Sequence, residues 1–337
     1  MGSIGALKSE PLTVGSVTVA NRVVLAPMSG VSDLPFRRLA ARYGVGLVVS
    51  EMVASREMLR ESRQSARRML FDRTDGPVCI QLAGTEPDVM AEAARFAVDR
   101  GAEMIDINFG CPAKKVVRKA TGSALMRDVP LATDIMREVV SAVEVPVSVK
   151  MRTGWDDNSR NAVELARIAE DVGVQMLTVH GRTRCQFYTG KADWDFIAGV
   201  KDAVRVPLIA NGDIRSFEDA KNCFETSQAD AVMVGRAAQG RPWFPGFVAH
   251  YLATGEQRRD PDIRSRWAIM REHLDAMMNL YGASTGIRNA RKHVGWYLTG
   301  VPGAAEFRNV VNNTLDPDVI MRELTRFRDA MPVLETA

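Results

Sequence analysis

Met104-Ile105-Asp106-Ile107 is a short apolar, β-branched run that breaks off into Asn108-Phe109-Gly110-Cys111-Pro112, a polar turn marked by glycine and proline. Seven more such runs stand along the chain: Val23–Ala26, Leu47–Ser50, Val78–Gln81, Val147–Lys150, Leu177–His180, Leu208–Asn211 and Val232–Gly235. A segment of helical period follows each. Near-continuous apolar strands alternating with helices imply a parallel sheet covered on both faces. The helices carry start signals. Thr85-Glu86-Pro87-Asp88 offers an N-cap at Thr85 with proline in the first turn, and Ser216 with Asp219 reads as a capping box. In the first of these helices Val89, Met90, Ala93, Ala94, Ala97 and Val98 form one apolar stripe. Eight strands in about 210 residues is the size of a (β/α)8 TIM barrel. A doubly wound sheet is the alternative, weakened because no GxGxxG follows any strand.

Outward from the barrel, Pro11 to Arg22 alternates like a hairpin (Leu12, Val14, Val17, Val19), a device that plugs barrel bottoms. After about residue 245 only helical periodicity is left. One helix ends near Tyr281-Gly282, another containing Ile287, Ala290, Val294 and Tyr297 ends at Gly300, and a last one opens at Asp316-Pro317 and stops before Pro332. The expected fold is therefore α/β, a barrel over 1–245 with a C-terminal all-α helical bundle domain over 246–337. Composition agrees: 46% hydrophobic and 25% charged residues in 337 are those of a soluble globular chain. Net charge is only +3, so a nucleic-acid footprint has to be local. Four cysteines without CxxC spacing make neither a disulfide framework nor a metal site. No apolar run reaches the ~20 residues of a membrane helix, and Met1 to Pro11 lacks a signal-peptide pattern. The expectation is a cytoplasmic protein, bound to no membrane and no metal.

Barrels place their chemistry at the C-terminal ends of the strands. Here those ends read Ala26-Pro27-Met28-Ser29, Gln81, Asn108, Lys150 with Arg152, His180-Gly181-Arg182, Asn211-Gly212-Asp213 and Gly235-Arg236. Glycine turns after strands seven and eight bind phosphate through backbone N–H groups and a helix N-terminus, and Arg236 adds a guanidinium. A phosphorylated ligand facing Gln81, Asn108, Lys150 and His180 suggests FMN, with Lys150 beside the edge of the ring that becomes negative on reduction.

Several motifs, in chain order, resemble those of bacterial tRNA-dihydrouridine synthases, nearest to the B-type subfamily. They are Ala26-Pro27-Met28, Gln81-Leu82-Ala83-Gly84, Asp106 to Pro112 with Ala113-Lys114-Lys115-Val116, Lys150-Met151-Arg152-Thr153-Gly154, Val179-His180-Gly181-Arg182-Thr183, Asn211-Gly212-Asp213-Ile214 and Gly235-Arg236-Ala237. In the tail, Ala290-Arg291-Lys292-His293 and Trp296-Tyr297 fit as well. One position departs from the pattern: Ser29 stands where alanine is common. The resemblance implies reduction of the C5–C6 double bond of a uridine in the tRNA D-loop, at position 17 by subfamily, with NADPH reducing the flavin. It implies that Cys111 is the general acid and that Asn108 holds the uracil edge. Pro27, Met28, Ser29, Gln81, Lys150 and His180 would surround the flavin ring, and Asn211, Gly212, Asp213, Gly235 and Arg236 its phosphate.

Alone, each residue has a plainer reading: a lone cysteine is more often a small buried hydrophobe, and Asn211-Gly212-Asp213 is a good turn. Local charge adds to the set. Lys114, Lys115, Arg118, Lys119 and Arg127 stand with no acid between Cys111 and Arg127, and the tail from Arg258 to Arg308 holds nine basic residues against five acidic. These two patches, with Arg182, Arg288, Arg291, Lys292 and His293, are the expected tRNA contacts. The alternatives are a barrel flavoprotein reducing a small pyrimidine-like molecule, which leaves both patches without a role, and an RNA-binding regulator with a vestigial flavin site, which the intact Asn108, Cys111 and Lys150 oppose.

Overall fold

The structure, a computed structural model, describes residues 10–314 and 316–330. The two ends of the sequence, among them most of the Met1–Pro11 stretch and Pro332, lie outside the described residues. The hairpin is present: β1 (Leu12–Val14) pairs antiparallel with β2 (Val17–Val19), Leu12 opposite Val19. Then come β3 (Val23–Leu25), β4 (Leu47–Val48), β5 (Val53–Ala54), β6 (Cys79–Ala83), β7 (Met104–Phe109), β8 (Val147–Arg152), β9 (Met176–His180), β10 (Leu208–Asn211) and β11 (Ala231–Val234). All nine are parallel, in the order β4-β3-β11-β10-β9-β8-β7-β6-β5. Both ends of that order are halves of one interrupted strand. Val49 bridges Cys79, and the Ser50 N–H donates to the Cys79 carbonyl at 3.0 Å, so the sheet closes on itself as an eight-strand barrel.

Around it run α1 (Leu34–Arg42), α2 (Ser55–Leu59), α3 (Arg63–Met69), α4 (Pro87–Asp99), α5 (Lys114–Val117), α6 (Val129–Ala142), α7 (Ala162–Asp171), α8 (Trp194–Lys201), α9 (Phe217–Ser227) and α10 (Phe244–Thr254). Short polar side chains set their starts: Asp33 caps α1, Asp128 caps α6 and Asp193 caps α8, each through the backbone N–H three residues on. The Ser216–Asp219 capping box of α9 forms on both sides. In α4 the N-cap falls on Glu86 rather than Thr85, with no side-chain bond to the helix's own N–H groups; Pro87 starts that helix by its fixed φ. Its core face is Met90, Ala91, Ala93, Ala94 and Ala97.

At the N-terminal ends of the strands Leu12, Val14 and Val19 of the hairpin pack with Val24, Leu47, Cys79, Met104, Met176, Ile209, Ala231 and Met233. That cluster seals one end of the barrel.

The chain divides into two compact units, and the division falls later than the boundary expected at residue 245. Trp243 to Arg258 belongs with the barrel, and the second unit is Ala238–Pro242 with Arg259 onward. The reason is α10, whose apolar face packs against β3, α1 and α9; Phe217 lies 5.9 Å from Phe244 and 5.3 Å from Tyr251, ring to ring. The second unit contains α11 (Ile263–Tyr281), α12 (Ala283–Tyr297), α13 (Ala304–Asn313) and α14 (Pro317–Ala330). Its core includes Trp267, Met270, Leu274, Ile287, Val294 and Phe307, with His273 and His293 buried among them. Among the described residues no helix is long and apolar enough to cross a membrane.

Candidate active site

Side chains two apart along a strand share a face. On β7 this places Asp106 and Asn108 above Met104 inside the barrel; on β8 it aligns Ser148, Lys150 and Arg152; on β9, Met176, Thr178 and His180. Register sets them side by side: Gln81 opposite Asp106, Asp106 opposite Ser148, Asn108 opposite Lys150, and His180 opposite both Arg152 and Asn211. The apolar end below and this polar end above are thus two layers of the same strands.

Hydrogen bonds tie the polar layer together. Gln81 Nε2 donates to Asp106 Oδ2 at 2.6 Å, and Ser148 Oγ donates to Asp106 Oδ1 at 2.6 Å. Asn108 Nδ2 donates to Gln81 Oε1 at 2.8 Å. Asn108 Oδ1 accepts from the backbone N–H groups of Gly110 and Cys111, at 3.2 and 2.9 Å. Burial lifts the Asp106 carboxyl to about 6, against the Ser148 and Gln81 hydrogen bonds and the Lys150 charge. Lys150 Nζ reaches Asn211 Oδ1 at 3.2 Å, and Asn211 Nδ2 donates to the Met233 carbonyl at 2.7 Å.

Cys111 is half-buried, its backbone fixed by Asn108 on one side and by Ser123, whose N–H and hydroxyl both donate to the Cys111 carbonyl. Gly122 allows this approach, since at its φ of +66° a Cβ would meet that carbonyl at 2.9 Å. Burial raises the thiol above its ordinary value, opposed by the Ala113 N–H and by Arg152 and Lys150. The result is a thiol that stays protonated at neutral pH beside two cations. Cys79 and Cys223 are buried within a strand and a helix, whereas Cys185 is exposed on the loop after β9.

The cations are also tuned. Burial and the Arg152 charge lower the Lys150 ammonium to about 8, with Asp106 and Cys111 pulling the other way. Burial, reinforced by Arg152, Lys150, Arg182 and Arg236, holds the His180 imidazole far below its usual value, so it is neutral at pH 7. Gly212, at φ +120°, lies against that ring; a Cβ would stand 2.8 Å from His180 Cδ2. Arg236 is exposed, 4.6 Å from the Tyr188 ring and 3.6 Å from Asp213.

Four expected contacts take a different part. Arg182, expected to meet substrate, is 1% exposed; it donates to Asp213 Oδ2 at 2.7 Å and to the carbonyls of Thr189 and Gly190. It therefore pins the loop after β9 and has no surface for RNA. Asp213, expected at a phosphate, accepts from Arg182 and the Ala192 N–H and faces Arg215 and Arg236. Burial alone pushes its carboxyl up, but those partners outweigh it and hold the group below its ordinary value. A fixed anion there orients the surrounding cations. The Met28 backbone is spent as well, its N–H on Ser32 Oγ and its carbonyl on the N–H groups of Val31 and Ser32, leaving its half-buried side chain. His293 is fully buried in the helical unit, 4.6 Å from His273 ring to ring. At the α9 N-terminus the capping box engages the Ser216 and Asp219 N–H groups.

Of the other expected contacts, Pro27 is half-buried and Ser29 exposed beside Met28, and Gly235 is half-buried at the end of β11. Lys114, Lys115, Arg118, Lys119 and Arg127 are all exposed. In the second unit Arg288 and Lys292 are exposed, while half-buried Arg291 donates to the Thr314 carbonyl. The sequence reading assigned nothing to Asp106, Tyr188 or the Arg152 side chain. Arg152 is 2% exposed, donates to the carbonyls of Gly110, Thr183 and Phe187, and lies 5.5 Å from the Tyr188 ring. Two positions beyond Lys150 on one strand, it was visible by the period of two. Tyr188 carried no signal of its own. Among the described residues no cluster of three or more His, Cys, Asp or Glu side chains could hold a metal ion.

A closed parallel barrel, plugged at the N-terminal end and lined at the other with amides, desolvated cations and a protonated thiol, defines a (β/α)8-barrel enzyme built for an anionic ligand. Comparison of the sequence gives the family. Residues 24–331 match the family described as Dihydrouridine synthase (Dus), and the chain belongs to it. It is an oxidoreductase of that family. A probable tRNA-dihydrouridine synthase of Rickettsia conorii is 53% identical over 96% of this chain and 98% of its own length. The tRNA-dihydrouridine synthase B of Pseudomonas aeruginosa is 50% identical over 93% of this chain and 95% of its own. Among solved structures, histamine dehydrogenase from Rhizobium sp. 4-9 superimposes with a TM-score of 0.56 at 11% identity. It covers 74% of this chain, which spans about half that protein's length (49%), and the likeness is one of fold.

Proposed function

We propose that this protein reduces a uridine of the tRNA D-loop to dihydrouridine, using FMN held in the barrel mouth and NADPH as reductant. The observation that carries this reading is the half-buried Cys111 at the barrel mouth, its backbone N–H held by Asn108, beside Lys150 and Arg152. The donor set fits a flavin phosphate. Gly212 leaves a cradle next to neutral His180 that any side chain would fill, and Arg236 supplies an exposed guanidinium steadied by Asp213. Gln81, Lys150 and His180, with Pro27, Met28 and Ser29, would line the ring, and Gly212, Gly235 and Arg236 the phosphate. When bound, the flavin supplies the hydride that goes to C6 of the uracil.

The protein's part is to orient and to move a proton. Asn108 has one Nδ2 hydrogen uncommitted, a donor suited to a carbonyl oxygen of the uracil. Cys111 gives its thiol proton to C5 as the C5–C6 π pair becomes that new C–H bond, and water reprotonates the thiolate. Lys150 would hold a positive charge beside the edge of the ring that becomes negative on reduction. The exposed cations of α5 and α12 suit the phosphates of folded tRNA.

The test is direct. Purified protein should release FMN on denaturation and, with NADPH, should form dihydrouridine in tRNA lacking it, at position 17 when the product is mapped. Reduction of uridine monophosphate as efficient as that of tRNA would instead select the small-molecule reading.

A further inference from the structure

Asp106 interrupts the most apolar part of β7, is 3% exposed and sits inside the barrel rather than at its rim. An apolar side chain there would avoid the desolvation of a carboxylate. Its oxygens are both engaged, one by Ser148 and one by Gln81, so the group cannot turn. From it a single file of hydrogen bonds runs outward through Gln81 and Asn108 to the Cys111 backbone N–H, with links of 2.6, 2.8 and 2.9 Å.

The ends of this file fix what lies between. A backbone N–H can only donate, so Asn108 must present its oxygen to Cys111 and its nitrogen to Gln81. An ionised carboxylate can only accept, so Gln81 must present its nitrogen inward and its oxygen to Asn108. Each amide has one orientation that satisfies both neighbours, and hydrogen bonds in file polarise and stiffen one another. Deleting the inner anchor would leave Gln81 with a buried unsatisfied N–H and release the file from one end.

We propose that Asp106 is a positioning residue: it anchors the Gln81–Asn108 amide file that holds the Cys111 backbone and leaves Asn108 a donor. The proposal rests on the reading of Cys111 and Asn108 given above, and it concerns the hydrogen bonds of Asp106, not its charge.

Two variants separate these. Asp106→Asn can still accept from Gln81 through Oδ1 and can donate to Ser148 through Nδ2; Asp106→Leu has the size but neither bond. In single turnover on tRNA, Asp106→Leu should lose about 100-fold in rate, the scale of a small misplacement of reacting groups, with tRNA affinity within about threefold of the parent. Independently of cofactor and substrate, alkylation of Cys111, followed peptide by peptide, should quicken in Asp106→Leu as its loop loosens, while Cys185 serves as an internal control. Asp106→Asn should restore most of the rate and most of the parent's slower Cys111 alkylation. A parental rate and parental Cys111 alkylation in Asp106→Leu would overturn the proposal, and so would an Asp106→Asn protein as impaired as Asp106→Leu. If Asp106→Leu does not fold, Gln81→Leu cuts the same file one link on and must show the same loosening. A parent protein that makes no dihydrouridine would sink the functional reading, while the alkylation comparison would still decide the file.

Discussion

The two ends of the barrel are made from the same strands and obey opposite rules. At the N-terminal end Met104, Met176, Ile209 and Ala231 meet the hairpin residues Leu12, Val14 and Val19, all nearly inaccessible and all apolar. Two or four residues further along β7, β9 and β10 stand Asp106, Asn108, His180 and Asn211, with Lys150 opposite Asn108 on β8. There burial is a burden: it lifts one carboxyl to about 6 and depresses one ammonium to about 8. One end converts burial into stability; the other spends stability to hold groups in reactive states. If this division is real, substitutions at the two ends must fail in different assays.

The largest expected effect is at the mouth. Replacing Cys111 with alanine removes the acid and touches neither the cation set nor the Asn108 bond, which goes to the backbone. Dihydrouridine formation in single turnover should fall by about 10²–10⁴, while the urea midpoint and tRNA affinity stay near the parent's. A variant that keeps the parental rate would take the acid away from Cys111, and Cys185 would be tested next.

The converse belongs to the bottom. Met104→Ala leaves a cavity between strand and hairpin, and should lower the unfolding free energy by about 2–5 kcal/mol. Below the unfolding transition its turnover should match the parent's. A tenfold loss of rate in folded Met104→Ala protein would show that the two ends are coupled through β7, and the comparison would break.

How much of this could be read from sequence follows the same line. Eight apolar runs, the hairpin and the capping box of α9 are local patterns, and local patterns survive folding. The chemistry-bearing strand ends were legible because a barrel always sends them to one rim. Partner choice was not. Arg182 and Arg236 look alike as strand-end arginines, yet one is locked on Asp213 and two carbonyls and the other is exposed. His293 sits in a basic run, and only the pitch of α12 decides that it faces inward while Arg288 and Lys292 face out. The boundary expected near residue 245 and the division of the compact units differ for a related reason: the start of α10 resembles a change of pattern, and its packing on the barrel is a tertiary fact.

The ammonium of Lys150 gives a pH test of the mouth. Its value is about 8 in the folded chain against 10.5 for an ordinary lysine. Between those limits the unfolded chain binds more protons than the folded one, so stability from this group rises as pH rises through the window. The full difference is on the order of 3–4 kcal/mol at most. Urea unfolding of the parent and of Lys150→Met at pH 7 and pH 10 should show the parent gaining more stability on going to high pH. Parallel pH dependences would mean that Lys150 is solvated and the mouth is not paying for its charge.

The smallest effect expected concerns a charge that belongs to neither layer. Lys115 on α5 is exposed, and among the described residues no carboxylate pairs with it. A solvated cation of this kind contributes little to folding, so Lys115→Ala should change the unfolding free energy by no more than about 0.5 kcal/mol. What it can do is displace counterions from RNA. Each phosphate contact adds about one to the slope of log affinity against log salt, so the variant should lose close to one from that slope, and the loss should be the same for any tRNA sequence. The buried Arg182 is the counter-case on the same rim: its guanidinium is committed inside the protein, and its removal should cost stability and leave the salt slope to the exposed cations. Equal slopes for Lys115→Ala and the parent would remove α5 from the RNA surface and leave that role to the cations of the helical unit.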